Sequence, residues 1–116
     1  RDLIVTGVQT CALPIFKQTI AKPDVTPEMA RTNIDIGGPC MVRASAKNYL
    51  RVSSVTDPAD YAPILSELAA NKGAISIETR LNLMKKAFAH TALYDTTIAA
   101  FFSQVQAAQL PYTFKN

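Results

Sequence analysis

The chain has few of the residues that build disulfide frameworks and metal centres. Only two cysteines, Cys11 and Cys40, and one histidine, His90, occur among its 116 residues. So few ligands provide neither a disulfide framework nor a metal-ligand spacing, which suits a reducing cytoplasm. The sequence identifies no general base near Cys40, so we expect its side chain to be a small buried hydrophobe.

Long apolar runs and a strong excess of one charge are also lacking. The N-terminal apolar run is too short and interrupted to span a membrane, and it lacks the basic leader and cleavage pattern of a secretory signal. The 12 basic and 9 acidic residues leave a net charge of +3, and only Lys85 and Lys86 are adjacent basic residues. This pattern does not indicate nucleic-acid binding, although a mildly basic pocket for a phosphorylated metabolite is compatible with it. We therefore expect a cytoplasmic protein with no nucleic-acid or membrane partner.

The length is sufficient for one domain, and a hydrophobic content of 48% is ordinary for a globular protein. Thr26–Glu28 has the capping residue, proline and acidic residue of a helix start, and this short helix should end near Asn33. A loop should follow at 35–38, because Gly37 and Gly38 permit tight turning. Pro39 then predicts a helix that runs to about Leu50.

The next segment, 51–56, is rich in β-branched residues and predicts a short strand. Asp57 and Pro58 should cap the following helix, which residues 71–73 should end. Four apolar residues of that helix have the i, i+3, i+4, i+7 spacing of a buried stripe. They are Tyr61, Ile64, Leu65 and Leu68.

A long last helix is predicted from Ser76, a capping residue followed by Glu78 in the first turn. The helix should fray by Gln109. Its expected inward face consists of Ile77, Leu81, Met84, Phe88, Thr91, Ile98 and Phe102.

Helices alternating with a strand predict an α/β layer with a parallel sheet. Residues 16–116, however, offer one clear strand, and a single strand cannot satisfy its backbone groups alone. We therefore expect a partial domain, mostly helices around one genuine strand, with some apolar faces exposed.

Three blocks in the sequence carry a family resemblance. They are 32–39 with 41–48 (TNIDIGGP and MVRASAKN), 55–61 (VTDPADY) and 86–95 (KAFAHTALYD). In this order and spacing they resemble the IMP cyclohydrolase domain of the bifunctional AICAR formyltransferase/IMP cyclohydrolase family. The similarity runs from about Phe16 to the C-terminus. It implies a Rossmann-like, methylglyoxal-synthase-type fold, of which residues 16–109 form a part and residues 110–116 begin an interdomain linker.

The resemblance stops before Phe16, and Pro14 stands where the family has an active-site tyrosine. Residues 5–15 instead resemble the translation of a common sequencing-library adapter. We therefore expect residues 1–15 to be an artefactual segment, the alternative being a divergent N-terminus. Only Cys40 would then be a genuine cysteine.

The resemblance implies an activity that needs no cofactor. In the family, the carboxamide nitrogen of formyl-AICAR attacks the formyl carbon, and water leaves to give IMP. By correspondence, Lys47 is the catalytic proton-transfer lysine and Asp35 is an active-site aspartate that contacts the substrate together with Ile36 and Gly37. The complete protein is expected to be a homodimer.

The local chemistry is compatible with these roles. Arg43 and Lys47 are four residues apart and share a helix face, so the neighbouring cation favours a neutral amine at Lys47. A carboxylate such as Asp35 would oppose that effect and orient the amine. Backbone N–H groups at 37–39 could face an anionic oxygen, although Pro39 has no donor.

Simpler interpretations stay open at each position. Lys47 could be a solvated charge that complements a helix dipole, and Asp35 a capping residue. His90 is more typical of a hydrogen-bonded structural residue than of a catalyst. Three further acidic residues resemble solvated or capping charges: Glu67, Glu78 and Asp95.

Two other functions compete with an enzyme fragment. The first is a methylglyoxal-synthase-like ligand-binding or regulatory module without catalysis. The second is a non-catalytic scaffold or remnant. The Asp35 and Lys47 pair in its family frame favours the enzyme.

Overall fold

The computed structural model describes residues 3–6 and 12–110. The described chain is mostly helical. Its elements are, in order, β1 (Leu3–Thr6), α1 (Ala12–Ile20), α2 (Pro27–Thr32), α3 (Gly37–Lys47), β2 (Val52–Val55), α4 (Tyr61–Ala70) and α5 (Ile77–Phe102), with short 3₁₀ turns at Pro58–Asp60 and Ala107–Gln109.

The two strands pair in parallel, from Leu3 opposite Val52 to Thr6 opposite Val55. Parallel neighbours need a long crossover, and α1 to α3 supply it here. The helices and strands agree with the expected α/β class, but the parallel partner of β2 lies in the segment expected to be artefactual. Within residues 16–110, β2 is the one strand, as expected, and all four of its residues are buried.

Helix α5 is the longest element of the described structure, and helices α1 to α4 and strand β2 pack along it. Its 26 residues extend for about 39 Å, and Ser76 caps its start by accepting a hydrogen bond from the Thr79 N–H at 3.1 Å. Three small hydrophobic clusters include residues of α5, instead of one central core. They are Leu13, Phe16, Ala30 and Tyr94; Val55, Ile64, Ile75 and Leu83; and Val42, Ala46 and Ala87.

The expected inward face of α5 is only partly correct. Ile77 is 49% exposed, whereas Met84 and Phe88 pack against the cluster of Ala87, and Thr91 is buried as expected. The buried positions missing from the prediction are Leu83, Ala87 and Tyr94. The prediction followed the largest apolar residues. The small side chain of Ala87 instead allows close packing, and helix α3 approaches α5 at this residue.

The expected stripe of α4 is also only partly correct. Ile64 is buried and Leu68 packs beside it, but Leu65 is 65% exposed and Tyr61 is exposed as well. Helix α4 therefore makes contact along a narrow i, i+4 edge, because its neighbours cover one side of it only.

Helix α3 begins two residues before Pro39, the expected start, and ends at Lys47 instead of about Leu50. Val42 and Ala46 are its buried residues and face α5. Cys40 is exposed, so the prediction that it is a buried hydrophobe is wrong. It precedes Val42 by two positions, which turns its side chain about 200° around the helix axis, away from α5.

The segment expected to be artefactual, residues 1–15, contains β1 and the first turn of α1. Leu13 is buried in the same cluster as Phe16. The boundaries after residues 15 and 109 stay predictions. Cys11, with the rest of 7–11, lies outside the described residues, as does the expected linker from residue 111 onward.

Candidate functional site

The loop between α2 and α3 presents the residues expected to bind substrate. Asp35 is exposed, and two hydrogen bonds hold it: its Oδ1 accepts from the Gly38 N–H at 3.1 Å, and its own N–H donates to the Tyr94 hydroxyl at 2.8 Å. Ile36 is 70% exposed. A side chain added at Gly37 would meet no atom within 4 Å, so the space in front of this residue is open.

The first turn of α3 is less available to an anion than expected. The Gly38 N–H donates to Asp35, and the Cys40 N–H donates to the Ile36 carbonyl at 3.2 Å. Pro39 has no N–H. Asp35 lies one position before the N-cap residue of α3, Ile36, and its carboxylate accepts from the first turn of the helix, close to the simpler interpretation of a capping residue.

Lys47 lies at the other end of α3. It is exposed and is the last residue of the helix. The 11 residues of α3 rise about 16 Å from the Asp35 end to the Lys47 end. The structure therefore does not bring these two side chains together, and Asp35 does not orient the Lys47 amine directly.

Arg43, expected to influence Lys47 from the same helix face, contacts an aromatic ring of α5. Its guanidinium lies over the Phe88 ring, 5.3 Å from the ring centroid. This distance is within the range of a cation–π interaction. Pro14, at the position of the family's active-site tyrosine, is an exposed residue of α1.

A second polar region lies where β2 ends. An open depression of about 330 Å³ is lined by Thr56, Asp57, Lys86, Ala89, His90 and Leu93. Lys86 Nζ donates to Asp60 Oδ2 at 2.6 Å and lies 3.7 Å from Asp57 Oδ2. The hydrogen bond to Asp60 is the main reason why the pKa of Lys86 is raised. The sequence blocks contained these residues, but only the fold shows that they pair.

Glu67 joins α4 to the start of α5. Its Oε1 accepts from the Ser76 N–H at 2.6 Å, and its Oε2 accepts from the Thr79 hydroxyl at 2.7 Å. These bonds lower the pKa of Glu67, the Thr79 hydroxyl having the largest effect. Of the two roles expected for this carboxylate, the structure supports capping, although the helix that it caps is the next one.

Arg80 is a structural residue that sequence reasoning missed. Its Nε donates to the Tyr49 carbonyl at 3.0 Å, and Nη1 donates to the Ile75 carbonyl at 2.6 Å. It thereby joins α5 to the turn before β2. No sequence signal could have revealed this, because every residue has a carbonyl and only the fold selects two of them.

Within residues 3–6 and 12–110, the side chains of histidine, cysteine, aspartate and glutamate form no group of three or more that could hold a metal ion. None of the described helices combines the length and apolar character needed to cross a membrane.

Comparison with known proteins identifies the family of this mostly helical α/β chain. A family model described as the AICARFT/IMPCHase bienzyme matches residues 45–116. The chain is 59% identical over 102 residues, 88% of its length, to a protein of Streptococcus pneumoniae (strain ATCC 700669 / Spain 23F-1) named bifunctional purine biosynthesis protein PurH. Proteins of the same name from Neisseria meningitidis serogroup A and Streptococcus mutans are each 54% identical, over 78% and 95% of the chain. The chain belongs to the AICARFT/IMPCHase bienzyme family, which confirms the resemblance found in its three blocks.

The chain covers only about a fifth of these relatives, 19% of the Streptococcus pneumoniae protein. The family model includes Lys47 but not Asp35. The alignment with the Streptococcus pneumoniae protein includes both Asp35 and Lys47, because it covers 102 of the 116 residues and leaves at most 14 outside.

Proposed function

We propose that this chain is part of the IMP cyclohydrolase unit of a purine-biosynthesis bienzyme. In this reaction the carboxamide nitrogen of formyl-AICAR attacks the formyl carbon, and loss of water gives IMP. Membership of the bienzyme family and the names of the relatives support the role in purine biosynthesis. The proposed fold is a partial Rossmann-like, methylglyoxal-synthase-type domain, and the proposed assembly of the complete protein is a homodimer.

The observation that carries the proposal is the loop at 35–37. Asp35, whose carboxylate accepts from the Gly38 N–H and whose backbone N–H donates to the Tyr94 hydroxyl, stands beside an exposed isoleucine and an open glycine. Ile36 is 70% exposed, so its side chain is free to contact a ligand bound at this loop. A planar heterocycle is a suitable partner for Ile36, and hydroxyl or N–H groups of the nucleotide away from the reacting amide are suitable donors to Asp35.

The two proposed roles are separable, because Asp35 and Lys47 lie at opposite ends of α3. Asp35, Ile36 and Gly37 would bind and orient the substrate. Lys47 would transfer a proton, which the reaction needs because an amide nitrogen must lose one and the departing oxygen must gain one. The nucleotide would have to extend along α3 to reach both ends, and no cofactor is required.

The test uses a chimera in which residues 16–116 of this chain replace the matching segment of the full-length Streptococcus pneumoniae relative. Conversion of formyl-AICAR to IMP is measured directly. Lys47→Met should lower kcat by about 100-fold or more with little change in KM, since it removes the amine and keeps an apolar stem. Lys47→Arg is the matched control: it keeps the charge but cannot release a proton near neutral pH, so it should be nearly as inactive. Arginine that restores most of the rate would show that Lys47 supplies charge alone.

A second candidate function is a ligand-binding module without catalysis. The separation of Asp35 from Lys47 favours it, because binding needs no shared proton path between them. Binding of IMP by the chimera, with turnover that Lys47→Met leaves unchanged, would support this function over the first.

A further inference from the structure

Tyr94 connects the longest helix to the proposed substrate loop. It lies on α5 and is 1% exposed, yet its hydroxyl accepts the backbone N–H of Asp35, a residue 59 positions away, at 2.8 Å. Phe16 holds the Tyr94 ring edge-on, with centroids 6.0 Å apart and an interplanar angle of 80°. The hydroxyl is therefore carried on a ring that core packing keeps in place.

The hydrogen bond acts on the backbone of the residue whose carboxylate faces solvent. Asp35 Oδ1 is held separately by the Gly38 N–H. Ile34, on the other side of Asp35, packs against the cluster that contains Tyr94. Three contacts therefore fix the loop: the packing of Ile34 in the core, the backbone hydrogen bond to Tyr94 and the side-chain hydrogen bond from Gly38. Ile36 remains exposed.

Packing alone does not account for a tyrosine here. Phenylalanine would fill the same space without burying a hydroxyl, and a buried hydroxyl is costly unless it is hydrogen-bonded. Burial is the main reason why the pKa of Tyr94 is raised, so the hydroxyl stays neutral throughout the physiological range.

We propose that Tyr94 is a positioning residue, whose hydroxyl fixes the backbone of Asp35 so that the carboxylate and Ile36 meet the nucleotide in one geometry. This inference rests on the proposed function, because it assumes that Asp35 touches the substrate. Tyr94 itself touches no substrate.

The test is Tyr94→Phe in the full-length chimera. We expect KM for formyl-AICAR to rise about fivefold, the size expected when one neutral hydrogen bond is lost, with kcat nearly unchanged. Hydrogen exchange of the Asp35 amide should also become faster. The matched control is Phe102→Leu, which removes packing from the same cluster but leaves both the hydroxyl and the Phe16 ring that holds Tyr94. It should lower the melting temperature and leave KM unchanged.

A double variant tests whether Tyr94 acts through Asp35. In an Asp35→Asn background, Tyr94→Phe should raise KM by much less than fivefold, because the carboxylate that it positions is gone. Equal effects of Tyr94→Phe and Phe102→Leu on KM would overturn the proposal and reduce Tyr94 to a core residue. If Asp35→Asn alone leaves KM unchanged, the substrate role of Asp35 fails instead. If Asp35→Asn raises KM and Tyr94→Phe does not, only the role of Tyr94 fails.

Discussion

Ser45 and Ser54 join α3 to β2 through their hydroxyl groups, which lie 2.8 Å apart. Ser45 Oγ is also 2.9 Å from the Val42 carbonyl of its own helix, to which it donates. The neighbouring Ser53 is fully buried, and its hydroxyl has no hydrogen-bond partner among the described residues. Two adjacent serines of one strand therefore differ: the Ser54 hydroxyl forms a hydrogen bond between elements, and the Ser53 hydroxyl forms none within the described structure.

We expect substitution by alanine to affect the stability of the chain differently at Ser53 and at Ser54. Ser54→Ala should destabilise the chain by about 1 kcal/mol, because it removes the hydrogen bond to Ser45. Ser53→Ala should be neutral or stabilising, because it removes a buried hydroxyl that has no partner in the described structure. Denaturant unfolding followed by circular dichroism would compare the two variants. A larger loss for Ser53→Ala would show that its hydroxyl has a partner.

The distance along α3 predicts independent effects of Asp35 and Lys47. In the chimera, the effects of Asp35→Asn and Lys47→Met on the free energy of the transition state, obtained from kcat/KM, should add to within about 0.5 kcal/mol. The reason is the rise of about 16 Å between the two ends of the helix. A strongly non-additive cycle would indicate that both groups act on the same proton and that α3 is rearranged in the working enzyme.

Glu67 predicts how stability depends on acid. The pKa of this carboxyl is lowered in the folded chain, mainly by the Thr79 hydroxyl. Its contribution is therefore fully present above the ordinary glutamate pKa of about 4.3 and is lost as the pH falls through the lower folded-state pKa. Glu67→Gln should be less stable than the parent chain at neutral pH, and the difference should shrink below about pH 4. Unfolding curves across this range would measure it, and a constant difference would refute the assignment.

The status of residues 1–15 can be measured by deletion. We expect residues 16–116 to be as stable and soluble as the whole chain, since an adapter-derived segment has no selected role in the fold. Two contacts in the structure argue against this expectation, because β1 pairs with β2 and Leu13 is buried. A loss of more than about 1 kcal/mol on deletion would show that the segment is genuine structure.

Local signals in the sequence were sufficient for most element positions. Thr26 caps α2 and Ser76 caps α5 as predicted, and β2 lies within its predicted range. Caps and β-branched runs act within a few residues, so one sequence carries them completely. The order and content of the three blocks likewise sufficed for the family, which the comparisons confirm.

The wrong predictions concern burial, which depends on neighbours distant in sequence. Cys40 and Leu65 are exposed because nothing described packs on their sides of α3 and α4, and Ala87 is buried because α3 approaches it. An apolar period shows which residues share a helix face, but not which face another element covers.

The sequence by itself determined the family, the order of elements from α2 onward and the identity of Asp35, Ile36, Gly37 and Lys47 as candidate site residues. Only the tertiary structure decided that Asp35 and Lys47 stand at opposite ends of α3 and that Tyr94 holds the Asp35 backbone. The physical reason is that a hydrogen bond across 59 positions depends on how α5 packs beside the loop, and no local pattern encodes that arrangement.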